Sequence, residues 1–491
     1  MIDNNFMRGF VKLYALWRAA KGGVCGMETM HEMRELAYRN GLAALALLVA
    51  LGSGCAHYRA RPIEPAKSET EFRARTVTDA GLLAYLETNR VTRPTEWNLA
   101  SLTLVALYFH PEMDVARAGV GVAEADVLTA GQRPNPALSW SPEYNANAAA
   151  GVSPWTLGFS LDIPIETAGK RGYRLKQARA LTGAARIELA ATAWNMRSRV
   201  RATLLDHLLA ARQLDLLRAE EAARADAVTL MEQRLGVGEV SRPDVDSARI
   251  ELANTRLAIR AAQGSVAETR AALASALGVP DGALTGVKLD WPRLDQPPGL
   301  PARQQAGLPD TLQEAGLLNR LDIRHALEEY AAAEATLQLE IAKQYPDVHL
   351  SPGYTWNQGD HKYALGLSVD LPVLNRNQGP IAVAEARRKE FAARFLALQA
   401  QVIGQTERAL ARYCGAMAEC DEANELVSLL QNQQRAAEHA VEVGESDKLA
   451  LAGIRVQTAV AFRARLDTLR KVQTAVGALE DAVQRPLTEE R

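Results

Sequence analysis

Two carboxylates occupy matching places in two near-copies of one phrase. "WTLGFSLDIPIETAGKRGYRLKQAR" (155–179) returns as "YALGLSVDLPVLNRNQGPIAVAEAR" (363–387). Leu157, Gly158, Ser160, Asp162 and Pro164 reappear as Leu365, Gly366, Ser368, Asp370 and Pro372. Asp162 and Asp370 therefore each stand two residues before a proline, at the end of a strand-like stretch. A carboxylate there can concentrate cations or accept hydrogen bonds at the turn that follows, and both readings stand. Catalytic signatures are missing: the chain has no HExxH, P-loop, GxSxG or CxxC. Its eight histidines are scattered, without the clustering with Cys or carboxylates that a structural metal needs. His207, in "LLDHLLA", reads as a helix-seam or surface residue. The expectation is a protein with no catalytic residues, no metal site and no cofactor.

The elements that carry these residues are written twice. "NPALSWSPEY" pairs with "YPDVHLSPGY", setting Pro136, Ser141, Pro142 and Tyr144 over Pro346, Ser351, Pro352 and Tyr354. Asp114 matches Asp322, and Gly238–Glu239 matches Gly444–Glu445. The first unit spans 96–277 and the second 311–485, with a Pro- and Gly-rich connector at 278–310 and a short tail at 486–491. Each unit predicts a helix (Leu99 to about Gln132; Thr311 to Lys343), then two strands, then a very long helix (Arg171 to about Leu235; Pro380 to Val443). A Gly-bearing turn and a returning helix of about 35 residues complete it. A helix of about 64 residues rises ~95 Å. Such a rod must pack as a column against other columns, coiled-coil fashion.

The strands alternate cleanly. Leu138, Trp140, Pro142 and Tyr144 lie between Ser139, Ser141, Glu143 and Asn145. Trp155, Leu157, Phe159, Leu161 and Ile163 lie between Thr156, Gly158, Ser160 and Asp162. The second unit repeats this over 348–356 and 363–371. One face is apolar and the other small and polar, as in a membrane β-barrel with lipid outside and water inside, or in a half-buried soluble sheet. Trp140, Tyr144, Trp155, Tyr354, Trp356 and Tyr363 are candidates for interfacial girdles. Four strands cannot close around water, and an open edge is not tolerated in lipid. Either the sheet is soluble, or several chains share one barrel.

The 491 residues are 48% apolar, 23% charged and 5% aromatic, with a net charge of −2. A basic excess of the kind nucleic-acid binders carry is absent. Residues 41–54, "GLAALALLVALGSG", follow Arg34 and Arg39 and suit a signal-peptide core, too short to span as a stable helix. "LGSGC" resembles a lipobox, making Cys55 the expected lipid-bearing residue. Gly52 departs from the usual aliphatic residue three places before the Cys, and plain secretion with cleavage near Ala56 is the other reading. The start is expected at Met27, Met30 or Met33. Residues 1–55 would form the leader, and 56–95 a polar, mostly extended segment. Cys414 and Cys420 lie six apart on a helix, on different faces, and read as seam residues.

The duplicated strand pair plus long helical hairpin, over about 95–485, resembles the TolC-type outer-membrane efflux factors. "IETAGKRGYRLKQARA" resembles the strand-to-helix junction of the CzcC-like heavy-metal branch, chiefly through "ETAGKR", and "LPVLNRNQGPIAVAEARR" resembles the second junction of the same family. The resemblance implies an α+β, mainly α fold. In it a homotrimer forms a twelve-stranded β-barrel in outer-membrane lipid, continued by a periplasmic α-helical tunnel. It implies a passive conduit that docks a periplasmic adaptor and an inner-membrane, proton-driven RND-type pump, exporting divalent heavy-metal cations. Export of organic compounds, type I secretion, or a soluble coiled-coil scaffold are the alternatives.

On that reading Asp162, Asp370 and Glu143 face the lumen. The junctions are Pro164, Gly169, Lys170 and Arg171, and Pro372, Asn375 and Gly379. The tips that gate the tunnel and meet the adaptor hold Gly238, Glu239 and Ser241, and Gly444, Glu445 and Asp447. Glu239, Glu445 and Asp447 would form an acidic mouth, or be ordinary solvated turn residues.

Overall fold

A computed structural model describes residues 58–91, 94–149, 151–292, 294–297, 316 and 319–487. The leader, Cys55, residues 298–310 of the connector and residues 311–315 of the second repeat lie outside the described residues. Two compact units are present, Met1–Ser68 and Glu69–Arg491. Residues 58–64 lack regular structure and lead into α1 (Pro65–Arg73), where the Ser68 hydroxyl reaches the Glu64 and Pro65 carbonyls at 3.2 and 3.0 Å.

The second unit begins with α2 (Ala80–Thr88), α3 (Leu99–Phe109) and α4 (Pro111–Gly131). Then come β1 (Ala137–Tyr144), β2 (Trp155–Ile165), α5 (Lys170–Gly236) and α6 (Arg242–Leu277). A 3-10 turn at Asp281–Leu284 precedes α7 (Leu321–Ala342), β3 (Val348–Asn357), β4 (Asp360–Val369), α8 (Gln378–Glu442) and α9 (Lys448–Val483).

The four strands form one antiparallel sheet in the order β1-β2-β3-β4, so the middle seam joins the two repeats. Its register keeps the predicted faces. Leu138, Trp140 and Tyr144 oppose Leu161, Phe159 and Trp155, whereas Ala137, Ser139 and Glu143 oppose Asp162, Ser160 and Thr156. Leu138, Trp140, Tyr144, Tyr363, Leu365 and Leu367 are exposed. β4 starts and ends earlier than the expected 363–371. Gln358 and Gly359, both at positive φ, close a two-residue hairpin of the kind that matches strand twist. Asp370 and Leu371 consequently fall beyond the strand.

Helix α5 has 67 residues and α8 has 65, about 100 Å each at 1.5 Å per residue. They pack against α6 and α9 as antiparallel hairpins. Ala and Leu fill the seams: Leu214, Leu217, Ile259 and Ala262 in one, Tyr413, Ala416, Cys420, Val472 and Val476 in the other. Cys420 is buried in that seam and Cys414 is exposed.

The expected single helix from Leu99 to Gln132 is two helices. His110 is extended (φ −77°, ψ 125°) and Pro111 opens α4, because a residue before proline is driven out of the helical region. The second repeat breaks at the matching place. Arg320 is extended (φ −62°, ψ 129°) before α7, after helical residues at 316 and 319, and the expected start at Thr311 lies outside the described residues. At both breaks another helix arrives end-on. Arg75 donates to the last carbonyls of α3 and α6, Phe109 and Gly278, at 2.8 Å each, and stacks on Phe109. Arg320 reaches the Ala482 carbonyl at the end of α9 (3.2 Å), and Gln484 accepts from the Leu321 amide. The orphan carbonyls of the arriving helices are thereby satisfied.

Around the first break lies the largest apolar core, with Leu82, Leu86, Leu102, Leu204, Leu273 and Leu277 essentially inaccessible. Burying each such leucine contributes roughly 1.5–3 kcal/mol. Trp97 joins it and forms a parallel bridge to Leu289 of the connector. Beside this core Glu480 of α9 meets Arg197 (3.1 Å) and Arg201 (3.4 Å) of α5. Gly477 lets the Arg201 guanidinium lie against α9, and a side chain there would oblige that guanidinium to shift.

Candidate functional site: junctions, polar sheet face and tips

The phrase "IETAGKRGYR" builds a lock where β2 becomes α5. Gly169 precedes the helix at φ 72°, ψ 16°, a left-handed conformation that costs an L-residue roughly 1–2 kcal/mol. That turn aims its neighbours at two other elements. The Thr167 amide and Lys170 Nζ both donate to Asp347 Oδ1, at 2.9 and 2.8 Å, and the Thr167 hydroxyl donates to the Pro346 carbonyl at 2.7 Å. Lys170 is 7% exposed. Burial would raise the Asp347 carboxyl, but the bonds from Lys170 and Thr167 outweigh it and hold it below the ordinary carboxylate range. On the other side Arg171 donates to the Gly131 carbonyl (2.6 Å) and Arg174 to that of Gln132 (3.3 Å), at the end of α4. Glu166 holds Arg174 with both oxygens.

The second junction uses different residues for the same turn. Asn377 takes the left-handed position (φ 61°, ψ 23°). Its amide nitrogen donates to the Glu340 carbonyl (2.8 Å) and carboxylate (2.9 Å), while Asn375 Oδ1 accepts from the Asn377 backbone (2.8 Å). Burial would raise Glu340, yet bonds from Lys343 and Asn377 leave it lowered. Gly379 sits within the first turn of α8, not at the bend, and Pro372 follows β4. Pro164 stays in β2, opposite His349.

On the polar sheet face Asp162 has a partner. His349 Nδ1 lies 3.0 and 3.1 Å from its two oxygens, and the Ser351 hydroxyl 3.4 Å from one of them. Glu143 is exposed opposite Thr156, near the far end of β1. Asp370 is exposed one residue past β4. The three carboxylates are not brought together.

At the tips, Gly238 (φ 82°) and Gly444 (φ 76°) make the reversals. Ser241 caps α6 in a box with Asp244, and Asp447 caps α9 by accepting from the Leu449 amide (3.1 Å). Arg234 of α5 pairs with Asp447 at 2.5 Å and lies 3.7 Å from Glu239. One cation therefore ties the first tip to the second, between two of the three acidic residues. Glu445 is exposed.

Asp347, Asn377, His349 and Arg234 were not singled out in the sequence. The first repeat signalled Asn377: the phrases align at a constant shift that sets Asn377 on Gly169. Arg234 carried no signal, being one arginine among many on an exposed helix.

A chain with this sheet, these long hairpins and this duplication has the fold of the TolC-type outer-membrane efflux factors. The family model for outer membrane efflux proteins matches residues 105–279. The solved outer membrane protein VceC of Vibrio cholerae superposes with a TM-score of 0.63 at 20% identity, over 79% of this chain and 97% of that one. CusC, solved in a study of transmembrane channel formation, gives 0.63 at 20% identity over 78% and 91%. In sequence, the cobalt-zinc-cadmium resistance protein CzcC of Cupriavidus metallidurans is 26% identical over 281 residues. That match covers 56% of this chain and 64% of CzcC, a little under two thirds of the relative's length.

Proposed function

We propose that this chain is one protomer of a homotrimeric outer-membrane channel that exports divalent heavy-metal cations. It would act as the passive outer component beside a periplasmic adaptor and an inner-membrane RND-type pump. The observation that carries the reading is the sheet. Its apolar face is exposed on a row of aromatic and aliphatic residues, and the outer edges of β1 and β4 pair with no other described strand. Exposed apolar surface with open edges is untenable in one chain in lipid. Three copies, β4 of one against β1 of the next, would close twelve strands with the apolar face toward lipid. The metal assignment is supported by the likeness to CzcC and by "ETAGKR". The long hairpins would form the tunnel, and their tips, where Arg234 holds Asp447, would be the gate and adaptor contact. A lipid at Cys55 would add an anchor.

Deleting the gene and measuring zinc, cobalt, cadmium and copper tolerance tests the cargo. Lowered metal tolerance, restored by the wild-type gene, is expected. Unchanged metal tolerance with altered drug or dye tolerance would overturn the metal assignment and leave the channel.

A further inference from the structure

The pairing of His349 with Asp162 has no counterpart in the other half of the duplication. The alignment that sets Pro346 on Pro136 and Ser351 on Ser141 sets His349 on Ser139 and Asp347 on Ala137. Asp370, the repeat mate of Asp162, is exposed beyond the end of β4. The β2–β3 seam has thus acquired an imidazole facing a carboxylate, on the polar face, at 3.0 Å. Both side chains remain about two-fifths exposed, so water and ions reach them. The other groups around the pair are few. Ser351 approaches Asp162 (3.4 Å), and Ser368 stands opposite His349 in the register. Asp347, the next carboxylate along, is engaged by Lys170 and Thr167.

We infer that His349 and Asp162 form a transient subsite for a borderline-soft divalent cation such as Zn2+ on the water-facing side of the sheet. This inference rests on the channel reading. In the resting pair Nδ1–H donates to Asp162; moving the imidazole proton to Nε2 frees the Nδ1 lone pair for the cation beside an Asp162 oxygen. Nitrogen and carboxylate oxygen bind Zn2+ at about 2.0–2.2 Å, and donors roughly 3 Å apart span adjacent positions of one ion at those lengths. Water fills the remaining positions. Among the described residues no group of three or more His, Cys, Asp or Glu could hold a metal ion. Two protein ligands bind weakly, and a conduit requires sites that a cargo ion can leave. The nitrogen ligand disfavours Mg2+ and Ca2+, which take oxygen.

The test is calorimetric titration of the purified, untagged trimer in detergent with ZnCl2, and separately with MgCl2. The variants are His349→Gln, Asp162→Asn and His361→Ala. His361 is the control because it lies on the apolar face, bonded to Tyr354 at 2.7 Å. Trimer migration on gels shows that each variant is assembled. One weak Zn2+ site per protomer is expected, weakened about tenfold or more by each of the first two changes, unaffected by the third and not filled by Mg2+. Zinc binding unchanged in His349→Gln and Asp162→Asn, or lost equally in His361→Ala, overturns the subsite. Titration of the protein is independent of cellular tolerance. Zinc binding with no metal phenotype on deletion would sink the export reading alone, and a metal phenotype without zinc binding would sink the subsite alone.

Discussion

Lys170 and Asp347 meet at 2.8 Å, joining the first turn of α5 to the residue just before β3, 177 positions along the chain. The lysine is almost wholly covered, whereas about a third of the aspartate side chain is open to water. The contact ties the first repeat to the second where the sheet ends.

Replacing Lys170 with Met should destabilise the protomer. Asp347 would keep its charge and lose its main partner. A buried pair broken on one side costs about 3–5 kcal/mol, and the open side of Asp347 screens this to roughly 1–2 kcal/mol. Thermal unfolding of the detergent-solubilised protein measures it. Adding Asp347→Asn to Lys170→Met should recover part of the loss; a fully additive pair would show that the two do not couple.

The same pair predicts an acid limit. The folded Asp347 carboxyl is held below its unfolded value, so the folded state binds its proton later. Its contribution is complete above the ordinary carboxylate range and fades as pH falls through the lowered folded value. The gap in melting temperature between wild type and Asp347→Asn should be constant from neutral pH to about pH 5 and close below that. A gap that widens on acidification would contradict the assignment.

At the second junction, Asn377→Gly should be better tolerated than Asn377→Ala. Glycine keeps the left-handed turn and loses only the bonds to Glu340, whereas alanine loses both, at an added cost of about 1 kcal/mol. Melting temperatures of the two variants decide the order.

Arg234→Ala should loosen the tips while leaving the fold intact. Exposed pairs are worth only about 0.2–1 kcal/mol each, so global stability should barely move. On the proposed channel reading, bilayer conductance of the purified protein should rise, since Glu239 and Asp447 lose their shared cation. Unchanged conductance would remove Arg234 from any gate.

An arginine at Leu365, in the middle of the exposed apolar face of β4, should impair membrane assembly. The penalty at a bilayer midplane is about 2–4 kcal/mol, and the same change on a soluble sheet would be nearly neutral. Outer-membrane fractionation of Leu365→Arg reads the difference.

The sheet was legible because period-two alternation encodes its faces directly, and the register sets Leu138, Trp140 and Tyr144 on Leu161, Phe159 and Trp155, and Leu350, Pro352 and Tyr354 on Leu367, Leu365 and Tyr363. The long helices were legible because the Gly-bearing tips bound them. The breaks at His110 and Arg320 were harder. Pro111 announced the first, but Leu321 announces nothing, since its extended neighbour is held by Asp322, Gln405 and the Ala482 carbonyl. The partner of Asp162 was hidden for a different reason. A carboxylate's neighbours come from strand register across the repeats, and periodicity within a strand gives the face, not the opposite residue.

Those breaks give the chain two kinds of rod. Helices α5 and α8 are unbroken backbone from junction to tip, so a twist applied at the tip travels their whole length. Helices α6 and α9 end at the break between α3 and α4 and at the start of α7, at butt joints held by Arg75, Arg320 and Gln484. A joint of side chains can slide or hinge where a covalent helix must bend. Each repeat therefore couples a stiff member to a compliant one, like a drive shaft beside a jointed strut, and the Arg75 and Arg320 contacts mark where rotation of the tips can be absorbed.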